Sequence, residues 1–254
     1  MSERFGGFDV TLPSRGLLYG DKGPKEGILR CYPMTTKEEK LIAGARGIMT
    51  DLFDSVLTSC TDLKGFPVAE LLSFDRFFLL IKLRSESYGP VYRFNVTCPS
   101  CGVSNPNELN LNEDLDLKTL SPDATEPFSV KLPRSGDTIE FRLLRGKDEK
   151  AILNYQQRAI QRGVRGDASY TYRLAKHVIS VNGNPFTEVL KALEYVEGMI
   201  GADSQAFQEM IEDVEAGYDT EFSMNCGNCN EYIERFMPFS ANFFRPREGR
   251  NKEN

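Results

Sequence analysis

Hydrophobic positions along the 254-residue chain change period several times, and each change marks an element. Residues 8–20 (FDVTLPSRGLLYG) show no sustained period and read as an irregular arm, with turn chemistry at Pro13-Ser14-Arg15-Gly16. Ile28, Arg30 and Tyr32 then alternate with Leu29 and Cys31, which predicts a strand over 27–33. Thr36 with Glu39 matches a capping box and opens a helix to about Ala45, its end weakened by Gly47. Leu52, Phe53, Val56 and Leu57 recur at helical spacing, predicting an amphipathic helix over 49–60. Residues 68–87 are apolar nearly all round beyond Ser73. They predict the most buried helix, with a break near Ser73 and a stop at Gly89-Pro90.

From there the pattern turns to β. VYRFNVT (91–97) alternates, and a second strand is expected near 107–111. An acidic connector over 113–127 follows. FSVKLP (128–133) and DTIEFRLL (137–144) flank Arg134-Ser135-Gly136 as a hairpin. Helical spacing returns at 147–162, at 170–181 with an end at Asn182-Gly183, from a Thr187 cap to about Met199, and at 204–215 before Gly217. DTEFSMNC and EYIERFMPF read as a closing pair of strands, and the tail after Phe244 reads as mobile.

The fold class that follows is α+β: helical N-terminal and C-terminal parts around a small β region with a split zinc-ribbon-like four-cysteine site. The expected segments are 1–90, an N-terminal arm and helical part; 91–146, a β part with the first cysteine knuckle; 147–218, a helical part; 219–244, the second knuckle and closing strands; and 245–254, a flexible tail.

Charge narrows the function. The net charge is −6 with both signs interspersed, which disfavours a nucleic-acid surface as the main role while leaving room for a local patch. A zinc-ribbon nucleic-acid-binding or transcription-associated protein stays as the alternative reading, and salt-dependent DNA binding would be its mark. No apolar h-region opens the sequence, and the longest apolar run, Phe77 to Ile81, is far short of the ~20 residues a membrane helix needs. The expectation is a soluble protein made in a cytoplasm, without membrane insertion.

Four of the six cysteines carry the strongest chemical signal. Cys98-Pro99-Ser100-Cys101 and Cys226-Gly227-Asn228-Cys229 each sit between predicted strands, with a glycine within or just after the pair. This is zinc-knuckle spacing, and two knuckles supply the four thiolates of one tetrahedral structural site. Cys98, Cys101, Cys226 and Cys229 are the predicted ligands of a structural zinc, in a ribbon split by a long insertion. Two other readings stand beside it: independent free or disulfide-linked pairs, and a thioredoxin-type redox motif. The redox motif opens a helix, whereas both pairs here lie between strands. With no secretory signal the spacing favours metal over disulfide. Cys31 and Cys60 have no cysteine close in sequence and read as small buried apolar groups.

Nothing else assembles into catalytic chemistry. A closed set of four thiolates leaves no position for a substrate. His177 stands alone and reads as a surface or satisfied core histidine. Glu113-Asp114 with Asp116, and Glu212-Asp213 with Glu215, read as solvated faces. GARG and RGVRGD lack the Lys-Ser/Thr of a phosphate loop. The expectation is no enzyme, no catalytic residue and no small-molecule substrate. Arg15, Tyr19, Phe243 and Phe244 are candidate partner contacts, on segments either folded onto the core or docked on a neighbour.

Four stretches occur in order over about residues 8–150: TLPSRGLLYG, RCYPMTTKEEKLIAG, FDRFFLLIKLRSESYGPVYRFNVTCPSCG and KLPRSGDTIEFRLL. Together they resemble the baseplate protein family of T-even-type tailed bacteriophages, which includes baseplate-hub and hub-assembly proteins. The resemblance implies a structural component or assembly factor of a contractile-tail baseplate, without catalysis. It implies other phage baseplate and tail proteins as partners, in the hub, tail-tube or tape-measure region. It places the protein in the host cytoplasm during assembly, and in the virion if it stays there.

Overall fold

The structure, a computed structural model, describes residues 6–44, 49–239 and 241–244. The expected helix end at Ala45–Gly47 and the tail beyond Phe244 lie outside these residues.

The arm is more regular than its sequence suggests. Its first residues form β1 (Phe8–Thr11), which pairs antiparallel with β2 (Ile28–Cys31). Four residues are too few to display a period. The strand exists because Val10 sits opposite Leu29, both buried in the core. α1 (Thr36–Gly44) and α2 (Met49–Cys60) follow. The capping box sits one residue earlier than expected: the Thr35 hydroxyl and N–H donate to Glu38 Oε2 at 2.7 and 2.8 Å. Glu38 is drawn inward because Ser59 Oγ donates to its other oxygen, while Glu39 accepts from Tyr88.

A short 3-10 turn at Val68–Glu70 precedes α3 (Ser73–Tyr88), so the helix is broken at the expected place. α3 is the buried centre of the larger core, with Phe78, Leu79, Leu80, Ile81 and Leu83 all inside. It also buries three charges, Asp75, Arg76 and Arg84. Arg76 reaches Asp54 Oδ1 (2.6 Å) on α2 and Glu149 Oε2 (3.3 Å). Cys31 and Cys60 are fully buried in this core, and burial pushes the Cys31 thiol up to about 12.

β3 (Val91–Thr97) and β4 (Ser104–Asn110) form one antiparallel ribbon. The acidic connector holds β5 (Leu117–Lys118). β6 (Phe128–Lys131) and β7 (Thr138–Phe141) make the expected hairpin. α4 (Gly146–Gln161) and α5 (Ala168–His177) come next.

The expected helix over 170–181 is half strand. It ends at His177, and β8 (Val178–Val181) joins the sheet beside β7. Val178, Ile179 and Val181 are β-branched and prefer a pleated surface. Asn182 and Gly183, at φ 50° and 75°, form a left-handed hairpin turn to β9 (Asn184–Pro185), not a helix end. The sheet order is β6-β7-β8-β9. His177 is buried, with Nδ1 2.8 Å from the Arg142 carbonyl, and burial holds its pKa down near about 4. It is a satisfied core histidine.

α6 (Val189–Glu197) has Glu188 at its cap position, without a side-chain bond, where Thr187 was expected. α7 (Gly201–Val214) completes a second core, in which Phe141 and Phe207 meet edge to face at 5.5 Å. β10 (Gly217–Tyr218) returns to pair with β5. β11 (Glu221–Asn225) and β12 (Tyr232–Phe236) form the closing ribbon. The architecture is α+β with small sheets, as the sequence predicts. No helix among the described residues is long and apolar enough to cross a membrane.

Candidate metal centre

Each cysteine pair caps an antiparallel ribbon, β3–β4 or β11–β12. The two turns are built the same way. In the first, Cys98 N–H donates to the Val103 carbonyl (2.9 Å) and Gly102 N–H to the Cys98 carbonyl (3.0 Å). In the second, Cys226 N–H donates to Glu231 (2.8 Å) and Asn230 N–H to Cys226 (2.9 Å). The fourth residue after the leading cysteine is left-handed in both, Gly102 at φ 73° and Asn230 at φ 58°. Gly and Asn are the residues that adopt this conformation most readily. The second turn therefore uses Asn230 for this purpose, not the Gly227 that its spacing suggested.

Gly227 serves another end. Its N–H donates to Asn105 Oδ1 at 2.9 Å. Asn105 is buried on β4, and its amide nitrogen donates to the Val96 and Val103 carbonyls at 3.3 and 3.1 Å. One side chain thus ties the first ribbon to the second turn. Val96, Cys98, Cys226 and Ile233 form a small core between the ribbons, and Phe94 meets Phe222 edge to face at 5.2 Å.

These contacts bring the four thiols together across a separation of 125 positions between Cys101 and Cys226. The four Sγ atoms lie within 4.8 Å of one another. Cys98 and Cys229 are 3.6 Å apart, and Cys101 and Cys226 are 3.7 Å apart. A tetrahedral zinc with Zn–S bonds of about 2.3 Å has sulfur–sulfur edges of about 3.8 Å. The donor set fits that ion in type, number and spacing. Cys98 and Cys226 are buried and Cys101 and Cys229 are exposed, so the cluster sits at the surface with a closed inner side.

The local electrostatics favour thiolates at two of the four positions, Cys226 and Cys101. Backbone N–H groups of Cys229 and Asn228 bring the Cys226 thiol down to about 6. The Val103 N–H and then Asn228 lower Cys101 as well. Cys229 feels the Glu231 N–H, but the surrounding sulfurs push it up to about 12. Four crowded sulfurs cannot all ionise without a cation, and a divalent cation removes that conflict.

Comparison with known proteins places this geometry in a context. The family model described as T4 bacteriophage base plate protein matches residues 10–244. The chain belongs to that family. No curated protein and no solved structure matches the chain. The match spans both knuckles and runs on to residue 244, whereas the resemblance seen in the sequence was strongest over the first 150 or so.

The other sequence candidates fall elsewhere. Tyr19, Phe243 and Phe244 are buried in the larger core, so these three are packing residues and not exposed partner contacts. The arm folds onto its own chain. Of the four candidates only Arg15 is exposed, with its guanidinium 3.1 Å from Thr119 Oγ1. Asn105 and the buried Arg84 and Asp203 were not singled out by the sequence, and Asp75 was read only as part of a helix start with Ser73. A polar residue in a strand or helix reads as surface until its partner is known.

Proposed function

We propose that this chain is a structural component or assembly factor of the hub region of a contractile phage tail baseplate. It works through protein–protein contacts and performs no catalysis. A structural zinc held by Cys98, Cys101, Cys226 and Cys229 clasps the two ribbons, and so joins segments 91–146 and 219–244 into one unit. The carrying observation is the convergence of four thiols from two distant turns, in a chain of the baseplate family. Such a site adds metal-binding free energy directly to folding. Its closed ligand set supports a clasp over a reaction centre.

On this reading the partners are other baseplate and tail proteins of the hub, tail-tube or tape-measure region, met in the host cytoplasm during assembly. Mass spectrometry of purified virions, paired with a deletion, tests the role. Stoichiometric presence marks a virion component. Absence from the virion together with loss of tails on deletion marks an assembly factor. Normal tails formed without the protein contradict both.

A further inference from the structure

We propose that copies of this chain associate head to tail: the arginine-rich tip between α4 and α5 of one copy docks in an acidic groove beside β5 and α7 of the next.

The tip is a knob. Every residue from Ile160 to Asp167 is exposed. Ile160 and Val164 are 63% and 52% exposed, and no apolar neighbour covers them. Around them stand Arg158, Arg162 and Arg165, none paired with a carboxylate among the described residues. Arg158 Nε only donates to the Asn154 carbonyl of its own helix, at 3.3 Å. Asp167 is the one acid in the tip, and it is engaged by the Ser169 N–H and hydroxyl at 2.9 and 2.6 Å. A local excess of positive charge thus surrounds bare aliphatic groups, on a chain whose net charge is −6. Apolar groups rimmed by arginine are the composition of a protein interface.

The groove is its complement. It measures about 460 Å³ and is lined by Ala124, Pro127, Phe128 and Val214, with Asp123 and Asp213 among its walls. Lys118, the one cation lining it among the described residues, is held in place: its ammonium donates to the Glu212 and Asp213 backbone carbonyls at 2.9 and 2.8 Å. The Asp213 carboxylate has no partner among the described residues. Neither has that of Asp116, which precedes β5 and whose carbonyl accepts the Asp219 N–H at 2.9 Å. Unpaired acids beside an apolar groove match unpaired arginines around aliphatic side chains.

Both halves lie on one chain, so every copy carries a knob and a receptacle. That is why a second copy is the occupant. A nucleic acid would answer the arginines but would leave the aliphatic groups and the acidic groove without partners. Because the two patches differ, the contact is heterologous and propagates into a ring or a filament.

Sedimentation of the purified chain over a range of concentrations and salt tests this. Mass should grow with concentration at low salt and fall back as salt screens the charges. Arg162→Glu with Arg165→Glu should weaken association about tenfold or more, and so should Asp116→Lys with Asp213→Lys. All four positions are exposed, and milder Arg→Gln and Asp→Asn pairs should weaken it in the same direction. Mixing the two charge-reversed proteins is decisive. One intact knob then meets one intact groove, and the Glu-bearing knob meets the Lys-bearing groove, so the mixture should regain the association that each variant alone has lost. A wild type that stays monomeric, with Kd weaker than about 1 mM, overturns the proposal. So does unchanged association of the variants, a mixture that stays monomeric, or a tip that binds duplex DNA while the chain does not self-associate.

Discussion

Single carboxylates hold two turns that the sequence offered only as turn chemistry. In the arm, Ser14 N–H donates to Asp75 Oδ1 at 3.0 Å, and Tyr19 OH donates to Oδ2 while accepting the Leu72 N–H at 2.9 Å. In the second core, Arg134 and Ser135 N–H groups donate to Asp203 at 2.7 and 3.0 Å. Both acids stand in the first turn of a long helix, α3 or α7, where the helix dipole favours negative charge. Asp75 is fully buried, and burial raises its pKa to about 6 despite the Ser14 and Tyr19 bonds. Its folded value lies above the unfolded one. Its contribution is therefore full at low pH and is lost as pH rises from about 4 through about 6, by roughly 3 kcal/mol. Asp75→Asn removes this titration. Urea unfolding of both proteins should show the variant gaining stability relative to wild type across that window, and a difference flat with pH would contradict the assignment. Asn105 makes a parallel case at the clasp. Asn105→Ala frees the Gly227 N–H and should speed zinc loss to a chelator several-fold, while Asn105→Ser, with a shorter acceptor, should fall between. Release timed with a chromogenic zinc indicator reads this directly.

At the scale of elements, strong periodicity was legible and context was not. α2, the break before α3, β3 and the β6–β7 hairpin follow their sequence patterns because long or alternating apolar runs have one good solution. β1 and β5 are too short to show a period and exist through their partners. The α5–β8 junction failed for a different reason: an apolar run after a helix start is ambiguous until a neighbouring strand, here β7, offers hydrogen bonds. The four thiols were legible by spacing, whereas Asn105 was not, since nothing in a lone asparagine announces its partner. α3 holds the largest surprise, a buried Arg84 with no carboxylate partner among the described residues. Its Nε donates to the Phe243 carbonyl (2.9 Å), and its terminal nitrogens donate to the Gly89 and Val91 carbonyls. It thus fastens the end of the described chain and the start of β3 to the central helix. Arg84→Met keeps much of the volume and leaves three carbonyls without this donor, so it should cost about 3 kcal/mol or more. A denaturant midpoint shift reads the loss, and a neutral effect would mean that these carbonyls find other donors.

At the scale of the whole molecule, the described residues form three apolar clusters joined by specific polar ties, and the smallest cluster is the one around the thiols. It buries too little apolar surface to hold two ribbons unaided, and the proposed metal would supply what the packing lacks. Tyr92 links this clasp to the larger core, through its hydroxyl bond to the Pro238 carbonyl (2.9 Å) and its edge contact with Phe243 (4.9 Å). Loss of the clasp should therefore loosen β11 and β12 before it unfolds α3, and hydrogen exchange after chelation should show that order. The most direct test of the account is the zinc content of the purified wild type, Cys98→Ser and Cys226→Ser. The account predicts about one zinc per chain in the wild type, since four thiolates complete one tetrahedral site, and loss of that zinc in each variant. A wild type without metal, or a Cys226→Ser protein that keeps its zinc while Cys98→Ser loses it, would contradict a clasp shared between the two knuckles.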